Sequence, residues 1–230
     1  MSAFHLKMIA AITMVVDHIG VFFFPQFVIL RIIGRLSFPI FCWFIANGAR
    51  YSKDMKQYLL RMITLAVVSQ VPFFFANRLI DPNFFLLNAV FTLSIGLGAI
   101  ILIKRTNDRF LWVLVSFVAF CLAEIFFTDY GGPGVLSIVA FYLFSQNIKA
   151  MIASQVFIYG VLFSLPAIND ILTHSVTQKT FVTFYEVFGL GSLIFIALYN
   201  GEQGPKMKYL FYVLYPLQYV VFYILLTIYR

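Results

Sequence analysis

Charge is what this sequence is short of. Over 230 residues it carries 16 Lys+Arg and 9 Asp+Glu, so that 11% of positions are charged against 62% hydrophobic. A soluble domain has roughly 25% charged residues. A chain this short does not hide the difference in a larger core, because small domains bury the smaller share of their surface. A water-soluble globule is therefore excluded, and lipid is the solvent for much of the surface. Cysteine is scarce too: Cys42 and Cys121 lie in apolar runs and read as small packing residues, not as a disulfide or a metal pair. The three histidines have no paired spacing, which argues against zinc or any other metal site. A long linker, a low-complexity tract and an obvious internal repeat are also missing. The expectation is one membrane-embedded domain over 1–230, with its chemistry in the membrane or at its faces.

Aromatic rings are abundant: 29 Phe and 13 Tyr, a density that suits lipid-facing and interfacial positions. A spanning helix takes about 20 mainly apolar residues. Nine segments are candidates: 6–24, 28–49, 58–76, 84–103, 110–127, 134–143, 151–168, 180–199 and 209–229. The first lacks a small-residue cleavage site and is interrupted by Asp17-His18, so it reads as a retained span, not a signal peptide. The sixth is too short to span alone and is expected to begin as irregular backbone at Gly131-Gly132-Pro133-Gly134, a feature tolerated only inside protein or beside a cavity. The fold class expected is an all-α polytopic helical bundle of about nine transmembrane helices, with one short or broken segment near 131–145.

The net charge of +7 would raise nucleic acid as a partner in a soluble protein. Here it sorts by loop instead. With nine spans, eleven basic residues fall on one side, and only Arg31, Arg35, Arg78, Lys179 and Arg230 on the other. Basic residues collect in cytoplasmic loops, so the N-terminus is expected inside and the C-terminus outside a bacterial cytoplasmic membrane. The partner this implies is the lipid bilayer, not nucleic acid.

Ionisable residues inside spans are costly and usually functional. Asp17 and His18 lie in the first segment, Arg31 and Arg35 one turn apart at the start of the second. Glu124 lies late in the fifth, Asp129 just beyond it, and Glu186 early in the eighth. The expected topology puts all of them in the outer half of the bilayer. Ion pairs that only staple helices together are the alternative for the carboxylates. For His18, a near-neutral imidazole suits proton transfer better than it suits structural glue. Asp17 and His18 point about 100° apart on a helix, so Asp17 pairs more naturally with Arg31 or Arg35. Lys7 and His18 share a face: eleven residues turn a helix about 20° past three full turns and rise about 16 Å.

Several runs now matter together: LKMIAAITMVVDHIG, RIIGRLSFPIF, YLLRMITLAVVSQVPF, LNAVFTLSIGL, DYGGPGVLSIVAFY, YNGEQG and KYLFYVLYPLQ. In combination, over nearly the whole chain, they resemble the TraX family, whose named member is associated with N-terminal acetylation of pilin. That family in turn resembles the wider superfamily of transmembrane acyltransferases. There a basic residue, ten intervening residues and a catalytic histidine recur, as Lys7 and His18 do here. A further superfamily block, an Arg-rich helix start leading into an aromatic-rich helix, is similar to 31–48. The sequence departs from the family pattern at Gln218, where His often follows Tyr-Pro, at Gln203, where a basic residue is expected, and at Asn47, where an acidic one is common.

The resemblance implies an integral membrane acetyltransferase that moves acetyl from cytoplasmic acetyl-CoA to an outer-face amine or hydroxyl on a pilin, a surface polysaccharide or a lipid-linked sugar. It casts His18 as base with Asp17 setting its environment, and Arg31 and Arg35 as stabilisers of developing negative charge. Lys7, Arg50, Lys53, Arg61 and Lys208 become candidates for the phosphates, though the bias of basic residues to the inside accounts for any one of them alone. Tyr212, Tyr215 and Tyr219 share the Lys208 face and read equally as lining for the adenine or pantetheine path, with Tyr212 the first candidate, or as aromatic packing. Asn88 and Thr92 read equally as ligand donors or as interhelical packing, and Glu124, Asp129 and Glu186 fall on the acceptor side. The rival readings are a small-molecule or ion transporter and a non-catalytic scaffold for envelope assembly. On the charge distribution, a reporter that matures only outside the cytoplasm, fused after residue 230, is expected to be active; activity confined to a cytoplasmic reporter would overturn the orientation.

Overall fold

The computed structural model describes residues 1–205 and 208–228, with side chains at all of these except 178, 179, 182 and 208–211. Twelve α-helices, a π turn and a 3-10 helix follow one another. They are α1 (Ala3–Phe22), α2 (Val28–Gly34), α3 (Ser37–Tyr51), α4 (Met55–Ile80), α5 (Ala89–Ile103), α6 (Arg109–Ile125), α7 (Gly131–Leu143), α8 (Ile148–Phe157), the π turn (Ile158–Leu162), α9 (Leu165–Leu172), α10 (Gln178–Phe184), the 3-10 helix (Tyr185–Gly191), α11 (Ser192–Ala197) and α12 (Lys208–Ile228). Among the described residues there is no strand, only an isolated parallel bridge between Leu87 and Thr128.

The stretches Ala3–Phe22, Val28–Tyr51, Met55–Ile80 and Ile148–Leu172 are long and apolar enough to cross a membrane, whereas Ala89–Ile103, Gly131–Leu143, Tyr185–Ala197 and Tyr212–Ile228 are apolar but shorter. Polarity is inverted relative to a soluble bundle. On α6 the outward face carries Phe110, Val113, Leu114 and Phe117, while Ala119 and Ala123 face inward. On α4, Leu60, Ile63, Val67 and Val71 are exposed, and Ala66, Ser69 and Asn77 are buried. Apolar residues at helical spacing on the outside, with small and polar ones inside, are what lipid selects.

Three sequence expectations need correction. The second segment is not one helix, because a turn at Arg35 and Leu36 separates α2 from α3. The fourth segment starts late. Asn88 is the N-cap of α5, accepting from the Val90 N–H at 3.0 Å, and residues 84–88 stay extended, with Leu87 exchanging backbone hydrogen bonds with Phe127 and Asp129. The sixth segment is helical over Gly131–Leu143, with the expected irregularity confined to Gly131, which takes positive φ. The Glu124 carboxylate accepts from the Gly132 N–H at 2.7 Å, and Pro133 falls in the first turn, where a missing N–H costs nothing.

The chain divides into two compact units: Met1–Phe44 with Leu143–Lys206, and Ile45–Tyr142 with Met207–Arg230. In the first, α1 packs on α2, α2 on the 3-10 helix, and the 3-10 helix on the π turn, α10 and α11. In the second, α4 packs against both α12 and α5, and α5 against α6. The Phe73–Tyr219 and Phe75–Tyr223 ring contacts advance together along both chains, so α4 and α12 run parallel. Asn88 ties α5 to α4, donating to the Ala66 carbonyl at 2.8 Å and to Gln70 Oε1 at 2.9 Å. Asn88→Ala removes a cap and leaves two buried acceptors short of a donor. It is expected to destabilise the folded protein by about 2–4 kcal/mol, read as a lower melting temperature in detergent; an unchanged melt would refute the role given to this side chain.

Candidate functional site

The first unit is organised around Asp17. The close pairs Gly20–Leu30 and Asp17–Gly34 run in opposite senses, so α1 and α2 form an antiparallel hairpin. Asp17 is 6% exposed and sits so tightly on Gly34 that a Cβ there would lie 2.2 Å from the aspartate's own Cβ. That glycine lets the carboxylate reach both arginines of the hairpin. Arg31 Nη1 donates to Asp17 Oδ2 at 2.7 Å, and Arg35 Nη2 donates to both carboxylate oxygens at 2.7 Å. From its other side, Arg35 Nη1 donates to Glu186 on the 3-10 helix. Two guanidinium groups and two carboxylates thus form a charge-neutral network in which Arg35 bridges the two acids. Burying any one of these charges alone would cost several kcal/mol.

The turn after Gly34 places Arg35 at this junction. Gly189 packs against the Arg35 backbone carbonyl, Pro39 and the Tyr159 ring, each within 3.2 Å of where its Cβ would be. Three elements therefore close on one residue: the end of α2, the 3-10 helix and the π turn. Both irregular turns lie next to the charge network, a placement common at functional sites.

His18 is half-buried and, one residue beyond Asp17, projects about 100° around α1 from the network. Because α1 is unbroken from Ala3 to Phe22, Lys7 stays on the His18 face, about 16 Å away. The Lys7 Nζ lies over the Phe44 ring, 5.1 Å from its centroid.

The second unit gathers cations at one end. Arg50, in the last turn of α3, donates to the Tyr142 carbonyl at the end of α7 and lies over the Tyr142 ring. Lys104, at the end of α5, donates to the Ala49 carbonyl at 3.1 Å. Arg61 lies over the Tyr58 ring, and Tyr58 in turn lies near Gly48 and Tyr212. The ends of α3, α5 and α7 and the starts of α4 and α12 therefore meet here. Lys53 is exposed on the α3–α4 connection. The side chain of Lys208 lies outside the described residues.

The remaining expected site residues fall elsewhere in the second unit. Asn88 has both amide hydrogens committed to Ala66 and Gln70, so of its two readings the packing role is the one the geometry realises; it has no donor left for a ligand. The Thr92 hydroxyl accepts weakly from the Tyr130 N–H at 3.4 Å. Glu124 is the cap of α7, and Asp129 is exposed. Of the charges expected to cluster, the first unit assembles Asp17, Arg31, Arg35 and Glu186.

The family model described as TraX protein matches residues 2–226. The chain belongs to the TraX family. A probable fimbrial assembly protein FimC, serogroup H1, of Dichelobacter nodosus is 27% identical over 230 residues, covering 94% of this chain and 91% of that one. An uncharacterized protein of Rickettsia prowazekii (strain Madrid E) is 37% identical over 68 residues, covering 30% of this chain and 27% of that one. No solved structure matches.

In this TraX chain the YNGEQG run has a structural task that sequence reading missed. Its backbone carbonyls at Glu202 and Gln203 accept from the N–H groups of Ala3 and Phe4 at 2.8 and 3.1 Å, and Tyr199 stacks edge-on against Trp43. Gly201 and Gly204 take positive φ there, which is why glycine stands at both. Gly34 was also passed over; a glycine directly before a membrane arginine was the available signal. Arg35→Met takes the guanidinium from Glu186 and leaves Asp17 with Arg31 alone, and is expected to cost about 3–5 kcal/mol. Arg31→Met strands no second acid and is expected to cost less. Paired melts in detergent decide, and equal losses would remove Arg35 from its central place.

Proposed function

We propose that this TraX chain is a membrane acetyltransferase that takes acetyl from cytoplasmic acetyl-CoA and delivers it to an acceptor at the outer face. The observation that carries the reading is α1 itself: an unbroken helix with a lysine near its start and, about 16 Å along the same face, a half-buried histidine whose neighbour is locked into a neutral ion network. His18 is the base. It takes a proton from the acceptor amine or hydroxyl as that group attacks the thioester carbonyl. The carbon–sulfur bond then breaks, and the thiolate leaves with the proton returned from His18. Asp17 acts as a positioning residue, because both its oxygens are engaged by guanidinium groups. Arg31, the more exposed of the two arginines in the network, is the group available to a developing oxyanion.

The basic end of the second unit supports an anionic donor. Arg50, Lys53 and Arg61 lie where helix ends meet, with Tyr58 and Tyr212 beside them, and suit phosphate groups by charge and by guanidinium geometry. Lys7 has the same task in the first unit. The name of the Dichelobacter relative supports a fimbrial or pilus protein as acceptor, ahead of a surface polysaccharide or a lipid-linked sugar.

His18→Ala is expected to lower kcat for acetyl transfer by roughly 10²–10⁴-fold, the usual contribution of a general base, while the folded protein and its CoA affinity persist. Turnover close to wild type would remove His18 from the reaction. Lys7→Ala or Arg61→Ala should raise KM for acetyl-CoA more than KM for the acceptor. In sealed right-side-out vesicles, donor supplied only outside should give no product; product formed equally from outside donor would overturn the transmembrane route, and solute flux without acetyl transfer would favour a transporter.

A further inference from the structure

The second unit holds a buried amide that its own fold does not use. Gln218 on α12 is 5% exposed, and among the described residues neither its Nε2 nor its Oε1 has a hydrogen-bond partner. Ser69 on α4 is fully buried, and its hydroxyl is likewise unpartnered. Both lie on the packed, parallel pair α4 and α12. Phe73 meets Tyr219 ring to ring at 5.1 Å. Ser69 is one turn before Phe73 on the same face, and Gln218 is adjacent to Tyr219 in sequence. Tyr215, one turn before Tyr219 and stacked on it at 5.5 Å, completes the level and stands beside the backbone of Ala89 at the start of α5.

Buried polar groups in folded proteins are almost always paired. A buried amide with both its donor and its acceptor unused, on the same helix pair as an unused buried hydroxyl, is a site that waits for a partner from outside the fold. The partner's chemistry follows from what is present. A charged group would lose its hydration to a neutral amide and a hydroxyl, which do not compensate it. A purely apolar group would leave Gln218 as unsatisfied as before. A neutral chain that presents an N–H and a C=O along one edge satisfies both ends at once.

We infer that Gln218, with Ser69, seats an amide-bearing, uncharged stretch of a ligand inside the second unit. Two sources carry this chemistry: the pantetheine arm of an acyl thioester, and a peptide acceptor. Assigning the donor arm as the source rests on the acetyltransferase reading above; the amide site itself does not.

The test is binding to the purified full-length chain in detergent, with coenzyme A and with a short neutral peptide (N-acetyl-trialanine amide), for wild type, Gln218→Leu, Gln218→Met and Ser69→Ala. The glutamine variants are expected to weaken the amide ligand about tenfold, and Ser69→Ala to weaken the same ligand by less. Melting of the empty protein should stay level or rise in Gln218→Leu or Gln218→Met, because an unsatisfied buried amide has been removed. Gln218→Met, with its flexible side chain, covers the case in which leucine packs badly. Loss confined to coenzyme A assigns the site to the donor, and loss confined to the peptide assigns it to the acceptor. Coenzyme A that binds wild type and both glutamine variants equally overturns the donor arm of the site and leaves the acetyltransferase reading standing. Wild type that binds no coenzyme A overturns that reading, and the peptide arm then decides the site. Unchanged affinity for every ligand that binds, binding of neither ligand, or a clear drop in the melting of both empty glutamine variants overturns the inference.

Discussion

A neutral set of four charges holds the first unit together. Asp17 accepts from Arg31 and Arg35, and Arg35 passes on to Glu186. In a chain so poor in charge, each of these groups is too costly to bury alone, so the partners dictate the backbone around them. The hairpin of α1 and α2 closes to the distance that Gly34 allows. The break after α2 sets Arg35 at the junction, and the 3-10 geometry of Tyr185–Gly191 brings Glu186 to it. Irregular backbone is tolerated at such a depth only where protein surrounds it, and here it surrounds the ion network.

The same network bears on the proposed chemistry. A base beside a free carboxylate would have its proton affinity set by that charge. Asp17 instead spends both oxygens on guanidinium groups, and the four charges cancel. His18 follows directly on a residue held from two sides, which fixes the direction of its helix face.

Much of this was legible in the sequence, and the failures have physical causes. Apolar runs located most of what became helical, though 169–172 of α9 fall outside them, and a pairing of Asp17 with Arg31 or Arg35 was expected from the 100° step between neighbours on a helix, where the structure engages both. The break at Arg35 and Leu36 had a signal that was passed over: Pro39, four residues on, has no N–H for the Arg35 carbonyl and its ring crowds that carbonyl, while Glu186, 151 residues away, holds the Arg35 side chain. The late start of α5 turns on Asn88, whose identity as a cap depends on Gln70 and Ala66 across the unit. The Gly-Gly-Pro-Gly run read as irregular backbone, but a carboxylate from the preceding helix, Glu124, caps it and only Gly131 keeps a positive φ. Gln218 drew notice only as a departure from a family pattern; that its amide is sealed off without a partner is a fact of packing and has no signature in composition or spacing.

The pairing of residues 3 and 4 with the carbonyls of Glu202 and Gln203 has a mechanical consequence. One end of α1 is stitched to that loop by backbone hydrogen bonds, and the stretch near the other end is clamped by two arginines through Asp17. A rod fixed at two points along its length does not slide. Piston-like motion of α1 along its axis, a common way for a helix to carry a signal or a load between two faces of a membrane, would have to break both attachments at once. Along the stretch from Lys7 to His18 the helix is therefore a fixed wall, with mobility left to its side chains.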